Sequence, residues 1–389
     1  MRARPPIVVI APDSFKGSIP ASAAAAAIEV GLRRVWPAME ARICPMADGG
    51  EGTLDAVLSR GGQRLSARMS GASGRPVDAG YGIVAEGTTA IIEAAQIVGL
   101  TDAEGTSIDV EQRSSRGVGE LIAKLLDDGL RSFMVGLGGT STNDGGAGML
   151  AALGVRLLDG QGMAVDATPA GLANLAAVDA QGIDTRLSQA TITVMSDVDN
   201  ALTGARGATA IFGPQKGVRP ERIAEIDARL AHFARLVETA LGKYVHDRPG
   251  AGAAGGLGFA LQLLGGEMRS GAEVVADLIG LDAAIEGADW VITGEGRTDA
   301  QTLLGKTPLV VARRSAALGV AATLVSGGID RAALAALSKY FAGCFSLTFG
   351  PIALEQCVAD AAGLLADRSE QLALFYDAIA AGSTTAAKD

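Results

Sequence analysis

Ile7-Val8-Val9-Ile10, then Ala11-Pro12-Asp13-Ser14-Phe15-Lys16-Gly17-Ser18, then the alanine-rich run Ala21–Val35 form the stretch from which the fold is read. The β-branched residues predict a buried strand, the polar glycine-containing segment a turn, and the alanine run a helix. Pro20 stands near the helix's first turn, where its missing N–H costs nothing. The same grammar recurs along the chain. Residues 41–45 lead through Asp48-Gly49-Gly50-Glu51-Gly52 into a helix near Thr53–Leu58. Residues 132–137 lead through a glycine-rich turn at 138–146 into a helix over 147–153, and residues 290–293 lead through 294–302 towards a helix near 309–318. Strand, glycine turn, helix is the order of parallel sheets covered by helices, so the fold class is α/β.

Between residues 64 and 97 the order changes. Runs at 64–69, 77–84 and Thr89–Glu93 follow one another with short turns and no long helix, which predicts an antiparallel patch. Clean alternation returns near residue 290. The chain therefore reads as two α/β domains: a discontinuous one from 1–65 plus 290–389, and an inserted one from 66–289. Its length of 389 residues, at about 150 per domain, agrees.

Composition narrows the function. The chain is 48% hydrophobic and 20% charged, enough apolar material for packed interiors. Its formal net charge of −10 leaves no broad basic surface, so nucleic acid and anionic membranes are not expected partners. Cys44, Cys344 and Cys357 lack metal-ligand spacing and cannot all pair within the chain, which points to a reduced, cytoplasmic setting. The apolar run at Ile7–Ile10 is too short for a signal-peptide core, and no run approaches a membrane span. With 53 glycines, about twice the usual share, function is expected in glycine-rich loops.

Familiar nucleophile chemistry is missing. The chain holds only His232 and His246, each read as a surface or cap residue, and neither HExxH nor a Gly-x-Ser-x-Gly elbow occurs. The charged loops offer something else. In Asp13-Ser14-Phe15-Lys16, backbone N–H groups near a helix start and the Lys16 ammonium suit an anion. Asp48 and Glu51 stand among three glycines, placed for a metal or hydroxyl groups. The loop with Gly138, Gly139, Ser141, Asn143 and Asp144 resembles a dinucleotide fingerprint only superficially and reads better as an anion nest. Asp197 and Asp199 end the strand Thr191–Met195, Lys216 sits in a Gly-Pro-Gln-Lys-Gly turn, and the glycines of residues 249–258 suggest another close-approach loop. Finally, Glu295, Arg297 and Asp299 precede Gly305-Lys306-Thr307, a near miss to a P-loop because Ala300 stands where glycine is required. Cations for phosphate and carboxylates for Mg²⁺ at several strand ends are what phosphoryl transfer requires.

Taken together, these stretches resemble the bacterial type I glycerate kinases. The matching segments are Ala11–Ser18, Ala47-Asp-Gly-Gly-Glu-Gly-Thr53, Ser115-Arg116-Gly-Val-Gly-Glu-Leu121, Gly136–Met149, Ser196-Asp-Val-Asp-Asn200, Phe212–Gly217, Pro249–Gly258 and Ile292–Lys306, running in family order. Ser196 stands where many relatives have Cys, Ala201 replaces a usual Pro, and Ser326-Gly327-Gly328 replaces an Ala-Gly-Ser-like turn; none removes a charged group. The resemblance implies two domains around a cleft, one flavodoxin-like and one restriction-endonuclease-like. It also implies transfer of the γ-phosphate of ATP to D-glycerate, giving 2-phospho-D-glycerate, with Mg²⁺.

In that frame Asp197 is the expected base, with Asp48 second, and Lys16 neutralises the transferred phosphate. Asp13, Ser14, Glu51, Arg116, Gly138, Gly139, Ser141, Asn143, Asp144, Lys216, Arg297 and Lys306 are the expected substrate and phosphate ligands. Asp299, with Glu295 or Asp199, is expected to hold the metal. Two alternatives are a nucleotide-binding oxidoreductase and a non-catalytic metabolite-binding protein; ADP release on adding glycerate separates them. A homo-oligomer is compatible with the sequence, which does not set the oligomeric state.

Overall fold

A computed structural model describes residues 4–386. The chain divides into two compact units, the first formed by the chain up to Asp48, by Asp55–Arg60 and by the chain from Ala272 on, the second by Gly49–Leu54 and Gly61–Gly271. The helices Gly271–Leu278 and Leu281–Ile285 lead back into the first unit. There Arg314 pairs with Glu273 (2.5 Å), Asp277 (2.7 Å) and Asp282 (3.3 Å), and Arg60 Nε donates to the Ile279 carbonyl at 2.9 Å.

The first unit holds a five-stranded parallel sheet ordered Gly343–Ser346, Ala322–Ile329, Trp290–Thr298, Ile7–Ile10, Glu40–Ile43. Numbered along this unit, that is 2-1-3-4-5, the flavodoxin-like order, whose direction of winding reverses between the first and third strands. Those two are Ile7–Ile10 and Trp290–Thr298, paired in the register Val8↔Trp290 to Ile10↔Ile292. Ile7–Ile10 and the first residues of the other strand, 290–292, are apolar because the sheet is covered by helices. The helix Ala21–Val35 lies along Ala361–Ala386. Ile28, Leu32, Trp36 and Trp290 are buried beside them, and Trp290 stacks on Tyr376 with ring centroids 4.9 Å apart.

Two boundaries differ from the sequence reading. The strand that begins at Trp290 does not stop at Thr293; it continues through Gly294-Glu295-Gly296-Arg297 to Thr298. These glycines are not a turn. A Cβ on Gly294 would lie 2.0 Å from the Val325 carbonyl oxygen, and one on Gly296 would press on the backbone of Phe15 and Lys16. The helix expected near 309 starts at Thr307, with Pro308 in its first turn and Lys306 as its N-cap.

The second unit contains a six-stranded sheet ordered Glu267–Arg269, Thr191–Met195, Ser132–Gly136, Thr89–Glu93, Pro76–Val84, Gln63–Ser70. The last three form the antiparallel patch anticipated from the sequence, and the others run parallel. Its core gathers Leu121, Phe133, Val135, Phe233 and Phe259. The glycines of the segment 249–258 serve packing of chain on chain. Cβ atoms on Gly255 and Gly256 would lie 2.1 Å from the Thr142 carbonyl and 2.4 Å from Gly145 Cα, and Gly258 already belongs to the helix Leu257–Leu263. Both units are α/β, as the sequence indicated. Among the described residues no helix is long and apolar enough to cross a membrane.

Candidate active site

The sheet of the first unit ends in a cavity of about 850 Å³. It lies at the carboxyl ends of Ile7–Ile10 and Trp290–Thr298, the switch point where open α/β sheets bind ligands. The ladder carries the loop after Ile10 into position: Ala11 N donates to the Ile292 carbonyl and Asp13 N to the Gly294 carbonyl, both at 2.8 Å. From the other side, Met46 N donates to the Pro12 carbonyl at 2.9 Å, which brings the Asp48 loop alongside. Glu295 and Arg297 are two residues apart on one strand, so their side chains leave the same face. As a result Asp13, Ser14, Lys16, Asp48, Glu295, Arg297, Asp299 and Lys306 all line this one cavity.

Its electrostatics are uneven. Asp13 is buried, and its own burial together with the neighbouring Asp48 pushes its carboxyl from 3.8 up to about 7. Lys16, largely exposed, approaches Asp48 at 3.8 Å. Burial also raises the carboxyl of Glu295, while the hydroxyls of Thr302 (2.7 Å) and Thr298 (2.9 Å) donate to its Oε1 and work against that shift. The Thr298 hydroxyl lies 2.7 Å from that of Ser326, so a short hydroxyl chain backs the carboxylate. Asp299 caps the turn Ala300–Leu304, its Oδ1 accepting from Gln301 N at 2.8 Å.

The remaining residues singled out in the sequence belong to the second unit. Asp144 is fully buried: Oδ2 accepts from Ser115 N, Ser115 Oγ and Gly148 N, and Oδ1 from Gly146 N. Burial raises its carboxyl, opposed by these donors. Lys216 is buried as well. Its Nζ donates to the Thr142 carbonyl at 2.7 Å, and burial lowers the ammonium to about 7. Asn143 Nδ2 donates to Thr209 Oγ1, and Ser141 Oγ to the Val98 carbonyl, both at 3.0 Å. A Cβ on Gly138 would lie 2.4 Å from Gly50 Cα, and one on Gly139 would meet Ala95 Cβ at 3.5 Å. Arg116 is exposed and pairs with Glu120 at 3.0 Å. Asp197 and Asp199 are exposed in the loop after Thr191–Met195; Asp197 Oδ1 accepts from Gly271 N at 3.1 Å, and Asp199 lies 3.6 Å from Arg206. Glu51 is exposed in the loop before Thr53–Leu58.

Three features were not anticipated. Arg113, absent from the expected ligands, is buried and donates to the carbonyls of Thr106, Ile108, Ser141 and Lys216, tying the glycine loop to the Lys216 turn. Its position two residues before Ser115 carries no periodic or motif signal that could have revealed this. Asp330 and Arg331 line the cavity of the first unit from the end of the strand Ala322–Ile329; the rule that ligand groups follow strand ends would have found them. The metal set is divided, with Glu295 and Asp299 in the first-unit cavity and Asp199 in the second unit. Among the described residues no group of three or more His, Cys, Asp or Glu is gathered as a cation site.

Fold and cavity thus define an α/β protein with a highly charged pocket at a topological switch point. The chain belongs to the glycerate kinase family, whose profile matches residues 8–377. It is 41% identical over 362 residues to the glycerate kinase of Bacillus subtilis strain 168, with 91% of this chain and 94% of that protein covered. It is 44% identical over 308 residues to the glycerate 2-kinase of Escherichia coli K12, covering 78% and 81%. A crystal structure from Salmonella typhimurium LT2, provisionally described as glycerate kinase 2, superposes with a TM-score of 0.83 at 39% identity, covering 96% of this chain and 99% of that one.

Proposed function

We propose that the protein transfers the γ-phosphoryl group of ATP to the 2-hydroxyl of D-glycerate, giving 2-phospho-D-glycerate and ADP. The observation that carries this reading is the convergence of Lys16 and Lys306 with Asp13, Asp48, Glu295 and Asp299 on one cavity at the switch point. Family membership and the name glycerate 2-kinase borne by the Escherichia coli relative support the substrate and the position. In the reaction the glycerate oxygen bonds to the γ-phosphorus as the bridge to the β-phosphate breaks, and the hydroxyl proton passes to a carboxylate. Lys16 and Lys306 offset the charge on the phosphate oxygens. Asp197 is assigned as proton acceptor with Asp48 second, and the buried carboxyl of Asp13, at about 7, has the affinity suited to that task at neutral pH. The loop 138–146 is assigned to substrate or nucleotide contacts.

Mg²⁺ suits the hard oxygen donors Asp299 and Glu295. It commonly binds through one or two carboxylates plus phosphates and water, so a site completed by the nucleotide fits two carboxylates better than a closed protein cage. When bound it supplies charge neutralisation for the phosphates. A coupled assay of ADP release with ATP and D-glycerate, read together with phosphorus NMR of the product, tests the reading. Absence of glycerate-dependent ADP release overturns it, and a 3-phosphate product overturns the regiochemistry.

A further inference from the structure

The charged end of the first unit's cavity accounts for only part of its lining. The C-terminal end of Ala322–Ile329 and the residue after Gly343–Ser346 also contribute, together with an aliphatic wall of Leu347, Leu354, Val358 and Ala361. Leu354 is 73% exposed and Val358 37%, beside the exposed Phe349 and Ile352. A single exposed aliphatic residue needs no explanation, but Leu354 and Val358 stand together on one wall of a polar cavity beside the buried Leu347 and Ala361, which marks a surface kept for a ligand.

The sheet sets the distance. Gly343–Ser346 stands three strand spacings from Ile7–Ile10, about 14 Å. A ligand touching both ends must therefore be elongated, anionic at one end and apolar at the other. D-glycerate, with three carbons and no apolar face, cannot cover the wall. A nucleoside triphosphate has the required length, with a flat base at the end remote from the γ-phosphate. The two ends are also joined within the protein: Ser18, from the loop that carries Lys16, donates its hydroxyl to the Val358 carbonyl at 2.8 Å.

We infer that this wall is the nucleobase subsite, so that the phosphate donor binds entirely on the first unit, with its base against Leu347, Leu354, Val358 and Ala361 and its phosphates towards Lys16 and Lys306. This rests on the phosphoryl-transfer reading for the nature of the donor and adds where its base is held.

Cys357 lies in the same wall, partly exposed, while Cys44 is buried and provides an internal control. On the full-length protein, iodoacetamide alkylation of Cys357 is followed by mass spectrometry with ATP, AMP or inorganic tripolyphosphate present. ATP or AMP at ten times its dissociation constant is expected to slow alkylation about tenfold. Val358→Asp and Leu354→Asp, both at exposed positions, are expected to weaken ATP binding in equilibrium dialysis about tenfold or more, with tripolyphosphate binding unchanged. Equal weakening of both ligands, unchanged ATP binding in both variants, or undiminished alkylation of Cys357 under saturating ATP overturns the subsite. Turnover with an unprotected Cys357 leaves the kinase reading standing without this subsite. Protection by ATP without glycerate-dependent turnover leaves the subsite standing without the kinase reading.

Discussion

Asp13→Asn is expected to make the protein more stable at alkaline pH and less active. The wild-type carboxyl is held from 3.8 up to about 7 by burial first and Asp48 second. At about 1.4 kcal/mol per tenfold change in proton affinity, folding disfavours the ionised form by roughly 4 kcal/mol. The sign follows from proton counting. Between pH 4 and 7 the folded state holds a proton that the unfolded state releases, so stability falls as pH rises through this window and levels off above 7. Asparagine keeps an oxygen that can accept from Ser14 N, which lies 2.6 Å from Asp13 Oδ1, but carries no charge. Guanidinium unfolding at pH 4, 5, 6, 7 and 8 should therefore show Asp13→Asn close to wild type at pH 4, and more stable by about 1–4 kcal/mol at pH 8. Activity is read in parallel through ADP release. A stability difference that does not change between pH 5 and pH 8, or a variant less stable than wild type at pH 8, refutes the account of a carboxylate held at an electrostatic cost.

Lys16→Ala should fold normally, since the side chain is largely exposed, and should raise KM for ATP or lower kcat about tenfold or more in the coupled assay; unaltered kcat/KM assigns Lys16 to the surface. Asp197→Asn should lower kcat about 10²–10⁴-fold if its carboxylate takes the hydroxyl proton, whereas near-wild-type turnover moves that task to the Asp13–Asp48 pair. Asp144→Ala strips the acceptor from four donors in a fully buried site, and a loss of about 3–5 kcal/mol in the unfolding of the second unit is expected by denaturation. A variant that unfolds like wild type but binds glycerate weakly would make Asp144 a ligand rather than a brace.

The fold was legible where apolar period and helix signals agree. Ile7–Ile10, Ala21–Val35, Thr53–Leu58 and Thr89–Glu93 carry their own propensity, and the recurring strand–turn–helix order gave the class. The strand Trp290–Thr298 extends beyond its apolar start, which the sequence hides because glycine marks a turn and a tight neighbour equally well, and here the neighbour is the Val325 carbonyl. The same ambiguity affects the loop 136–146: Gly136 and Gly138 lie against the backbone of Gly49 and Gly50, a close approach that a single sequence cannot distinguish from a ligand. Charged strand ends pointed to Asp13, Lys16, Asp48 and Lys306, because in a parallel sheet such ends must share an edge. The burial that separates Asp144 and Lys216 from the exposed Asp197 depends on which helix covers which loop, and local spacing does not encode it.

The sheet order also bears on how the chain is made. Asp289 accepts a hydrogen bond from Ile7 N across 282 residues, so Ile7–Ile10, an inner strand of the first unit, leaves the ribosome long before the neighbour that completes its pairing. At roughly 5–20 residues per second the wait is about 15–60 s, during which Ile7–Ile10 has only Glu40–Ile43 as a partner and the helix Ala21–Val35 lacks the Ala361–Ala386 surface it later covers. All the strands of the second unit's six-stranded sheet emerge within that interval. Nascent chains should therefore engage chaperones through the amino-terminal segment, and release from them should coincide with synthesis of the last hundred or so residues.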